Sequence, residues 1–114
     1  MSFLTNEEIS IGLTPKRYLS IAKQYAKIHE YNPNLLTFST NPKHKLNYDG
    51  VNFGSSIHND YIIYRYLERI GLIQSDEANQ HRINYLKRAS HIKGNWKNNV
   101  KSKNNLSLKI LWNQ

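Results

Sequence analysis

The sequence predicts an α+β fold that is mainly helical, with three to four helices and a small β-hairpin. In several segments bounded by capping residues, apolar residues recur at steps of three and four positions, which is typical of amphipathic helices. One short segment instead alternates apolar and polar residues on both sides of an Asp-Gly pair, which is typical of a hairpin. A length of 114 residues predicts one small basic domain, residues 1–114.

A short opening helix is predicted by the segment Thr5-Asn6-Glu7-Glu8. Thr5 and Glu8 have the spacing of a capping box, in which each side chain accepts a hydrogen bond from the other residue's amide. Gly12 suits the position just after the last turn. Residues 1–14 are interpreted as an N-terminal extension, and since they hold neither a basic segment nor an apolar run, we expect no signal peptide.

The second helix is predicted over residues 15–30. Thr14 suits the N-cap, and Pro15 suits the first helical position, because its missing amide would have no helical partner there. Asn32-Pro33 ends the helix, since the residue before a proline is disfavoured in the α region. Residues 35–39 fit either a short strand or packed coil.

A β-hairpin is predicted around Asp49-Gly50. Leu46 and Tyr48 alternate with polar residues before this pair, and Val51 and Phe53 do so after it, which fits a two-residue type I′ turn. Because an isolated two-stranded ribbon is only marginally stable, we expect the hairpin to pack against helices.

Two further helices are predicted in the second half of the chain. Asn59 suits the N-cap of a helix over residues 60–70, whose apolar residues cover most of its circumference, so we expect it to be the central core helix. Ser75 suits the N-cap of the next helix, and Gly94 suits its end.

The C-terminal part combines a polar stretch with an apolar one. Residues 95–105 are polar, basic and poor in apolar side chains, which predicts an exposed basic arm. Residues 106–112 fit both the alternation of a strand and one face of a helix. We expect a short terminal helix that packs Leu111 and Trp112 on the core.

The excess of positive charge lies entirely in the last third of the chain. Lys and Arg number 16 against 8 Asp and Glu, and all eight acids lie in residues 1–77 together with eight of the cations. Residues 78–114 hold the other eight cations and no acid, so the net charge of +8 belongs to them alone. Such segregation favours an anionic partner: nucleic acid, an acidic protein surface or an anionic membrane surface.

We expect the nucleic-acid contacts to come from this basic segment, where cations neutralise phosphates and aromatic rings stack on bases. The candidate contact residues are Arg82, Lys87, Arg88, Lys93, Trp96, Lys97, Lys101 and Lys103. The alternative is a solvated helix face that only keeps the protein soluble. If the partner were an acidic protein, Tyr61, Tyr64 and Tyr66 would be candidate anchors, with core packing as the alternative role.

The sequence offers weak support for catalysis. His58-Asn59-Asp60 after a hairpin loosely resembles the strand-strand-helix metal nucleases, in which a histidine activates water beside a divalent ion. No second carboxylate is near in sequence, and Asn59 is explained as a helix cap. The five histidines lack zinc-ligand spacing, and the absence of cysteine excludes disulfides and thiolate zinc sites. We expect no cofactor, no metal, no small-molecule ligand and no membrane-spanning helix.

Seven segments, taken in order, carry a resemblance to a known family. They are Tyr18-Leu19 to Tyr31-Asn32-Pro33, His44-Lys45-Leu46, Phe53-Gly54, Asn59-Asp60-Tyr61-Ile62-Ile63-Tyr64, Arg82 to Ala89, Lys93-Gly94-Asn95-Trp96, and Asn104-Asn105-Leu106 to Trp112. Over residues 15–112 the chain resembles a small basic protein family, without assigned activity, of nucleocytoplasmic large DNA viruses (giant viruses) and related double-stranded DNA viruses. The resemblance implies a viral origin and a place in the particle or in genome packaging, and it implies no site residues.

Together these observations predict a non-enzymatic viral structural protein that binds viral DNA, most naturally double-stranded, through its basic C-terminal surface. The resemblance implies a location in the virion and, during assembly, in the host cytoplasm. The alternative from another class is a minor capsid or scaffold protein that binds acidic surfaces of a coat protein. A metal-dependent nuclease is the distant alternative.

Overall fold

A computed structural model describes residues 3–92, 94 and 96–113, and its fold is α+β and mainly helical, as predicted. The helices are α1 (Asn6–Ser10), α2 (Pro15–Ile28), α3 (Tyr61–Arg69), α4 (Glu77–Ala89) and α5 (Lys103–Leu106). The strands are β1 (Leu36–Phe38), β2 (His44–Tyr48) and β3 (Val51–Ser55). Single 3₁₀ turns cover Pro33–Leu35 and Trp96–Asn98, and a π-helical turn, Ser107–Leu111, continues α5.

The opening helix α1 has the predicted capping box. The Thr5 hydroxyl accepts the Glu8 amide over 3.1 Å, and the Glu8 carboxylate accepts the Thr5 amide over 2.9 Å. The segment around α1, interpreted as an extension, contributes Leu4 and the fully buried Leu13 to the core. Residues 3–13 are therefore packed as part of the domain.

Helix α2 begins as predicted and ends two residues early. The Thr14 hydroxyl caps it by accepting the Arg17 amide over 3.2 Å, and Pro15 occupies the first turn. The helix ends at Ile28, because Glu30 has a φ of 68° and turns the chain out of the right-handed α region.

The predicted hairpin belongs to a three-stranded antiparallel sheet in the order β1-β2-β3. Asp49 and Gly50 both have positive φ, 49° and 90°, as a type I′ turn requires, and Tyr48 pairs with Val51 across the turn. The segment that fitted either strand or coil forms β1, with Leu36 opposite Tyr48 in β2. The third strand adds the pairing that a lone ribbon would lack.

The predicted N-cap of α3 at Asn59 is wrong. Asp60 caps this helix, and its Oδ1 accepts the Ile63 amide over 3.1 Å. Asn59 is exposed, whereas Asp60 is buried and bound to side chains from α2 and β2. A long-range contact therefore sets where α3 begins.

The predicted N-cap of α4 at Ser75 is also wrong. Asp76 stands at the N-cap with a φ of 71°, and its side chain makes no capping hydrogen bond. A carboxylate from α3 provides the capping hydrogen bond instead. Glu68 Oε2 accepts the Ala78 amide over 3.2 Å. The first turn of α4 is thus capped from a neighbouring helix.

Helix α4 ends at Ala89 and not at Gly94. Ser90 takes the C-cap, and its hydroxyl donates to the Lys87 carbonyl over 2.8 Å. A side-chain bond of this kind satisfies a terminal carbonyl that has no helical partner. The next regular element after this end is the 3₁₀ turn Trp96–Asn98.

The C-terminal segment is helical, and it supplies much of the core. The Trp112 amide donates to the Ser107 carbonyl over 3.2 Å, which is the i to i+5 bond of a π turn. This segment packs against α2 and β3. Its buried apolar residues are Leu106, Ile110, Leu111 and Trp112. In α3, expected as the central core helix, the buried residues are Ile62 and Ile63.

Candidate functional site

Arg82, a predicted nucleic-acid contact, makes intramolecular contacts that stabilise the fold. Its Nη2 donates to the Asn113 carbonyl over 2.6 Å, and its guanidinium carbon lies 5.2 Å from the ring centroid of Tyr61. These contacts tie the C-terminal segment to α3 and α4. They occupy part of the donor fork that phosphate recognition would use.

Lys101 is paired with an acid from the hairpin turn. Its Nζ lies 2.6 Å from Asp49 Oδ2, and both side chains are about half exposed. The hydrogen bond that Lys101 donates to Asp49, followed by the negative charge of Asp49, raises the pKa of Lys101. The ammonium stays charged, but a neighbouring carboxylate offsets part of its field.

Four other candidate cations are exposed: Lys87, Arg88, Lys97 and Lys103. Among residues 3–92, 94 and 96–113, none of these four forms an ion pair with a carboxylate. Lys93 lies outside the described residues. These four are therefore the described candidate cations whose charge is directed to solvent.

Trp96 is half-buried, and its indole makes contacts within the protein. Its indole Nε1 donates to the Ile92 carbonyl over 3.0 Å, and Lys97 Nζ lies 5.7 Å from its ring centroid. The indole bond folds the turn after α4 back toward the end of that helix.

The described part of the predicted basic arm, residues 96–105, is held in shape by Asn105. The buried Asn105 amide donates to the carbonyls of Trp96, Lys97 and Asn99 over 2.8, 3.2 and 2.9 Å. Tyr31 adds a bond from its hydroxyl to the Val100 carbonyl, over 2.6 Å. The backbone of this cationic segment thus follows a defined path, although most of its side chains are exposed.

A concave site of about 440 Å³, here called the α4 cleft, lies between α4, the β3–α3 loop and the C-terminal segment. Helix α4 contributes residues at positions i, i+3, i+4 and i+7, which share one helical face. They are His81, Asn84, Tyr85 and Arg88. The facing residues include Ser55, His58, Asn59, Tyr64, Ser107 and Trp112. The α4 cleft therefore gathers one guanidinium, two imidazoles and several neutral polar groups.

Lys45 and Asp60 also line the α4 cleft and form a buried ion pair, with Lys45 Nζ 2.7 Å from Asp60 Oδ2 and each side chain 2% exposed. The Tyr18 hydroxyl donates to the same oxygen over 2.5 Å, while the Ile63 amide donates to Oδ1. Burial, followed by the charge of Asp60, raises the pKa of Tyr18 well above its usual range. Both oxygens of the Asp60 carboxylate are thus hydrogen-bonded within the protein.

Stacked rings hold the walls of the α4 cleft. His81 lies parallel to Tyr64 with centroids 3.8 Å apart and planes 5° apart. Tyr85 lies parallel to Trp112 at 4.4 Å and 4°, and the Arg88 guanidinium carbon is 5.8 Å from the Tyr85 centroid. Burial raises the pKa of Tyr85, although the neighbouring Arg88 acts in the opposite direction. Stacking of this kind restricts the rotamers of the side chains that face the cleft.

A second concave site, here called the arm cleft, has a volume of about 630 Å³. Its charged and polar lining includes three lysines and one acid, namely Lys97, Lys101, Lys109 and Glu30, together with His29 and Tyr31. The candidate cations are therefore divided. Arg88 lines the α4 cleft, whereas Lys97 and Lys101 line the arm cleft.

His58, the histidine of the nuclease alternative, lies on the exposed loop after β3. Its Nδ1 is 3.0 Å from Ser55 Oγ, and the residue lines the α4 cleft. Within the part of the chain that the structure describes, no three His, Asp or Glu side chains gather in a group that could hold a metal ion.

The three tyrosines considered as anchors are half-buried and pack against the core. The Tyr66 hydroxyl donates to the Ile11 carbonyl over 2.7 Å. Tyr61 lies beneath Arg82, and Tyr64 is covered by His81. Each ring is thus already in contact with another part of the protein.

Sequence reasoning missed the α4 cleft and its polar lining. One signal was present, because His81, Asn84, Tyr85 and Arg88 stand at helical spacing on one face of α4. No local signal marks Lys45, whose pairing with Asp60 depends on how β2 packs beside α3.

The chain matches no known protein family, and neither a curated protein nor a solved structure is significantly similar to it. The resemblance to proteins of large DNA viruses therefore stays a prediction. Of the helices in the described residues, none combines the length and apolar character needed to cross a membrane.

Proposed function

We propose that this protein is a non-enzymatic nucleic-acid-binding protein that holds duplex DNA through the exposed cations of its last third. The observation that carries the proposal is that Lys87, Arg88, Lys97 and Lys103 are exposed and, within the described residues, have no carboxylate partner. The resemblance to proteins of large DNA viruses supports a structural role in the virus particle.

Two acids from the first 77 residues are already paired with lysines of this protein. Asp60 is buried and paired with Lys45, whose positive charge offsets its own. Asp49 contacts the last third of the chain, but its partner is Lys101, which is not one of the four cations without a carboxylate partner in the described residues. Neither of these two acids pairs with the four cations, whose positive charge would attract a polyanion.

A long polyanion suits the observed distribution better than a small one would. Arg88 and Lys97 line different clefts, so a ligand that engages both must extend from one to the other. The longest dimension of the molecule is 38 Å. A duplex lying along it would present on the order of 20 phosphate charges, since DNA carries one per about 1.7 Å of axis.

The test compares two variants that lose the same charge from different places. The first replaces Lys87, Arg88, Lys97 and Lys103 by alanine. The matched control replaces Lys16, Lys23, Lys27 and Lys43 by alanine, all of which lie in the first part of the chain. Fluorescence anisotropy with a labelled duplex measures affinity over a series of salt concentrations.

We expect the affinity of the native protein to fall steeply as salt rises, because released counterions drive binding. The first variant should lose about one unit of log–log slope for each cation that contacts a phosphate, and it should weaken binding to all sequences alike. The control should retain most of the affinity. Equal losses in both variants, or no binding to duplex at low salt, would overturn the proposal.

The same series separates the rival function. Binding to polyglutamate without binding to duplex would favour a minor capsid or scaffold protein that binds acidic coat-protein surfaces. For the location in the virion, and in the host cytoplasm during assembly, the test is mass spectrometry of purified particles separated into shell and genome fractions. Recovery with the genome is expected from DNA binding, and recovery with the shell from the rival.

A further inference from the structure

We infer that the α4 cleft is a binding site for a phosphate monoester, held by Arg88, His81 and His58. The group would belong either to the 5′ end of a nucleic acid or to a free mononucleotide, since both present the same chemistry. This inference is separate from the duplex binding proposed above and shares only Arg88 with it.

Hydrogen-bond donors converge on the α4 cleft from two sides. Helix α4 supplies Arg88 and, two turns earlier on the same face, His81. The loop after β3 supplies His58, whose Nδ1 is bound to Ser55 Oγ, so that its other ring nitrogen is not used by that bond. A guanidinium fork with two imidazoles suits a compact oxyanion with several acceptor atoms.

The one carboxylate that lines the α4 cleft is already paired within the protein. Among the residues that line it, all of them described, Asp60 is the one acid. Its oxygens are engaged by Lys45, Tyr18 and the Ile63 amide. Glu77 lies outside the lining, with its Oε2 3.8 Å from His81 Nε2. Within the lining, an entering phosphate thus meets the donors and the charge of Arg88, while the Glu77 carboxylate stands beside His81 outside it.

The donors are held in place before a ligand arrives. Tyr64 fixes the plane of the His81 ring by parallel stacking at 3.8 Å. Tyr85, stacked on the buried Trp112, supports Arg88 from below at 5.8 Å. Side chains fixed in this way lose less conformational entropy on binding, which raises affinity. The volume of about 440 Å³ falls in the range of small-ligand sites, so a mononucleotide fits.

Isothermal titration calorimetry with 5′-AMP, adenosine and inorganic phosphate tests the site. We expect 5′-AMP and phosphate to bind and adenosine to fail, because the phosphate supplies the recognised charge. A dinucleotide with and without a 5′-phosphate distinguishes the two sources. Much tighter binding of the phosphorylated dinucleotide than of 5′-AMP would identify a nucleic-acid end, and equal binding would identify a mononucleotide.

Three substitutions locate the bound phosphate. Arg88→Gln should weaken 5′-AMP binding by about tenfold or more, since a charge-assisted hydrogen bond contributes that much. His81→Phe keeps a ring to stack on Tyr64 and removes both nitrogens, so it should weaken binding severalfold. Arg69→Gln is the matched control. It removes the same charge from the exposed end of α3, away from the cleft, and should change affinity by less than twofold.

Equal binding of adenosine and 5′-AMP would overturn the site, and so would equal losses in Arg88→Gln and Arg69→Gln. Thermal melting of each variant shows whether the fold is retained. If 5′-AMP binds while duplex DNA does not at low salt, the phosphate site stands and the proposed function falls. If duplex DNA binds while 5′-AMP does not, the phosphate site is overturned and the proposed function stands.

Discussion

The Tyr18 hydroxyl donates a 2.5 Å hydrogen bond to the Asp60 carboxylate and so joins α2 to the N-terminus of α3 across 42 positions of the sequence. Tyr18 is fully buried and Asp60 is 2% exposed. Because the same carboxylate accepts Lys45 and caps α3, this one bond belongs to a network that connects two helices and the sheet.

Tyr18→Phe removes that hydrogen bond and keeps the ring. We expect a loss of about 1.5 to 3 kcal/mol in the free energy of unfolding at neutral pH, because the acceptor is charged and buried. Tyr66→Phe is the control, since its hydroxyl donates to a backbone carbonyl and its loss should cost about 0.5 to 1.5 kcal/mol. Urea denaturation measures both; equal losses would contradict the special role of Tyr18.

The stability of the native protein should fall at alkaline pH partly through Tyr18. Burial and Asp60 raise its pKa in the folded state, so the folded protein keeps the phenol proton that the unfolded chain releases above about pH 10. The stabilisation is therefore complete below pH 10 and is lost as pH rises toward the folded pKa. Urea denaturation along a pH series should show a steeper decline for the native protein than for Tyr18→Phe. Parallel declines would show that Tyr18 contributes nothing to it.

Lys45→Met should destabilise the protein strongly. It leaves the Asp60 carboxylate buried without its cation, a change that typically costs about 3 to 5 kcal/mol. Lys101→Met breaks an ion pair of similar length at the surface, where water screens the charges, and should change stability little. Thermal melting of the two variants at equal salt is the measurement. A similar decrease in melting temperature for both variants would show that burial does not make the Lys45–Asp60 pair more important for stability than the surface pair.

Gly54→Ala should destabilise the fold beside the α4 cleft. Gly54 has a φ of 80°, and an added Cβ would lie 2.6 Å from Leu111 Cδ1. We expect about 1 to 2 kcal/mol from the left-handed backbone and about 1 to 3 kcal/mol from overpacking. Gly50→Ala is the control, because its φ of 90° carries the backbone cost while nothing lies within 4 Å of the added carbon. The measurement is the denaturant midpoint of each variant. Equal decreases for the two variants would show that the contact with Leu111 adds no cost.

Asn105→Asp should loosen the turn over residues 96–105. The substitution replaces an amide donor to three carbonyls by a carboxylate oxygen that repels them, which should cost about 3 kcal/mol or more. Asn104→Asp introduces the same charge one residue earlier at a half-buried position and should stay within about 0.5 kcal/mol. Hydrogen exchange of the Lys101 and Ser102 amides reports the turn directly. Unchanged protection in Asn105→Asp would remove Asn105 as its organiser.

Sequence reasoning succeeded where hydrogen bonds join residues close in the chain. Thr5 and Glu8 form their capping box, Thr14 caps α2, and Asp49 with Gly50 forms the hairpin turn. Such bonds depend on residue type and spacing alone, so a local pattern is enough to predict them.

The predicted N-caps of α3 and α4 were wrong because residues held by distant parts of the chain cap these helices instead. Asn59 and Ser75 are adequate caps, but Asp60 and Glu68 take their places, since each of these carboxylates is positioned by a neighbouring element. Composition likewise indicated a basic last third without indicating that Arg82 would turn inward.

By itself, the sequence determined the helical and hairpin segments, the mainly helical class and the segregation of charge, because these follow from neighbouring residues and from composition. Only the tertiary structure decided which cations face solvent, how they divide between two clefts, and that Lys45 and Asp60 are buried together. The reason is physical: these outcomes depend on burial and on contacts between segments far apart in the chain, and no local pattern encodes such contacts.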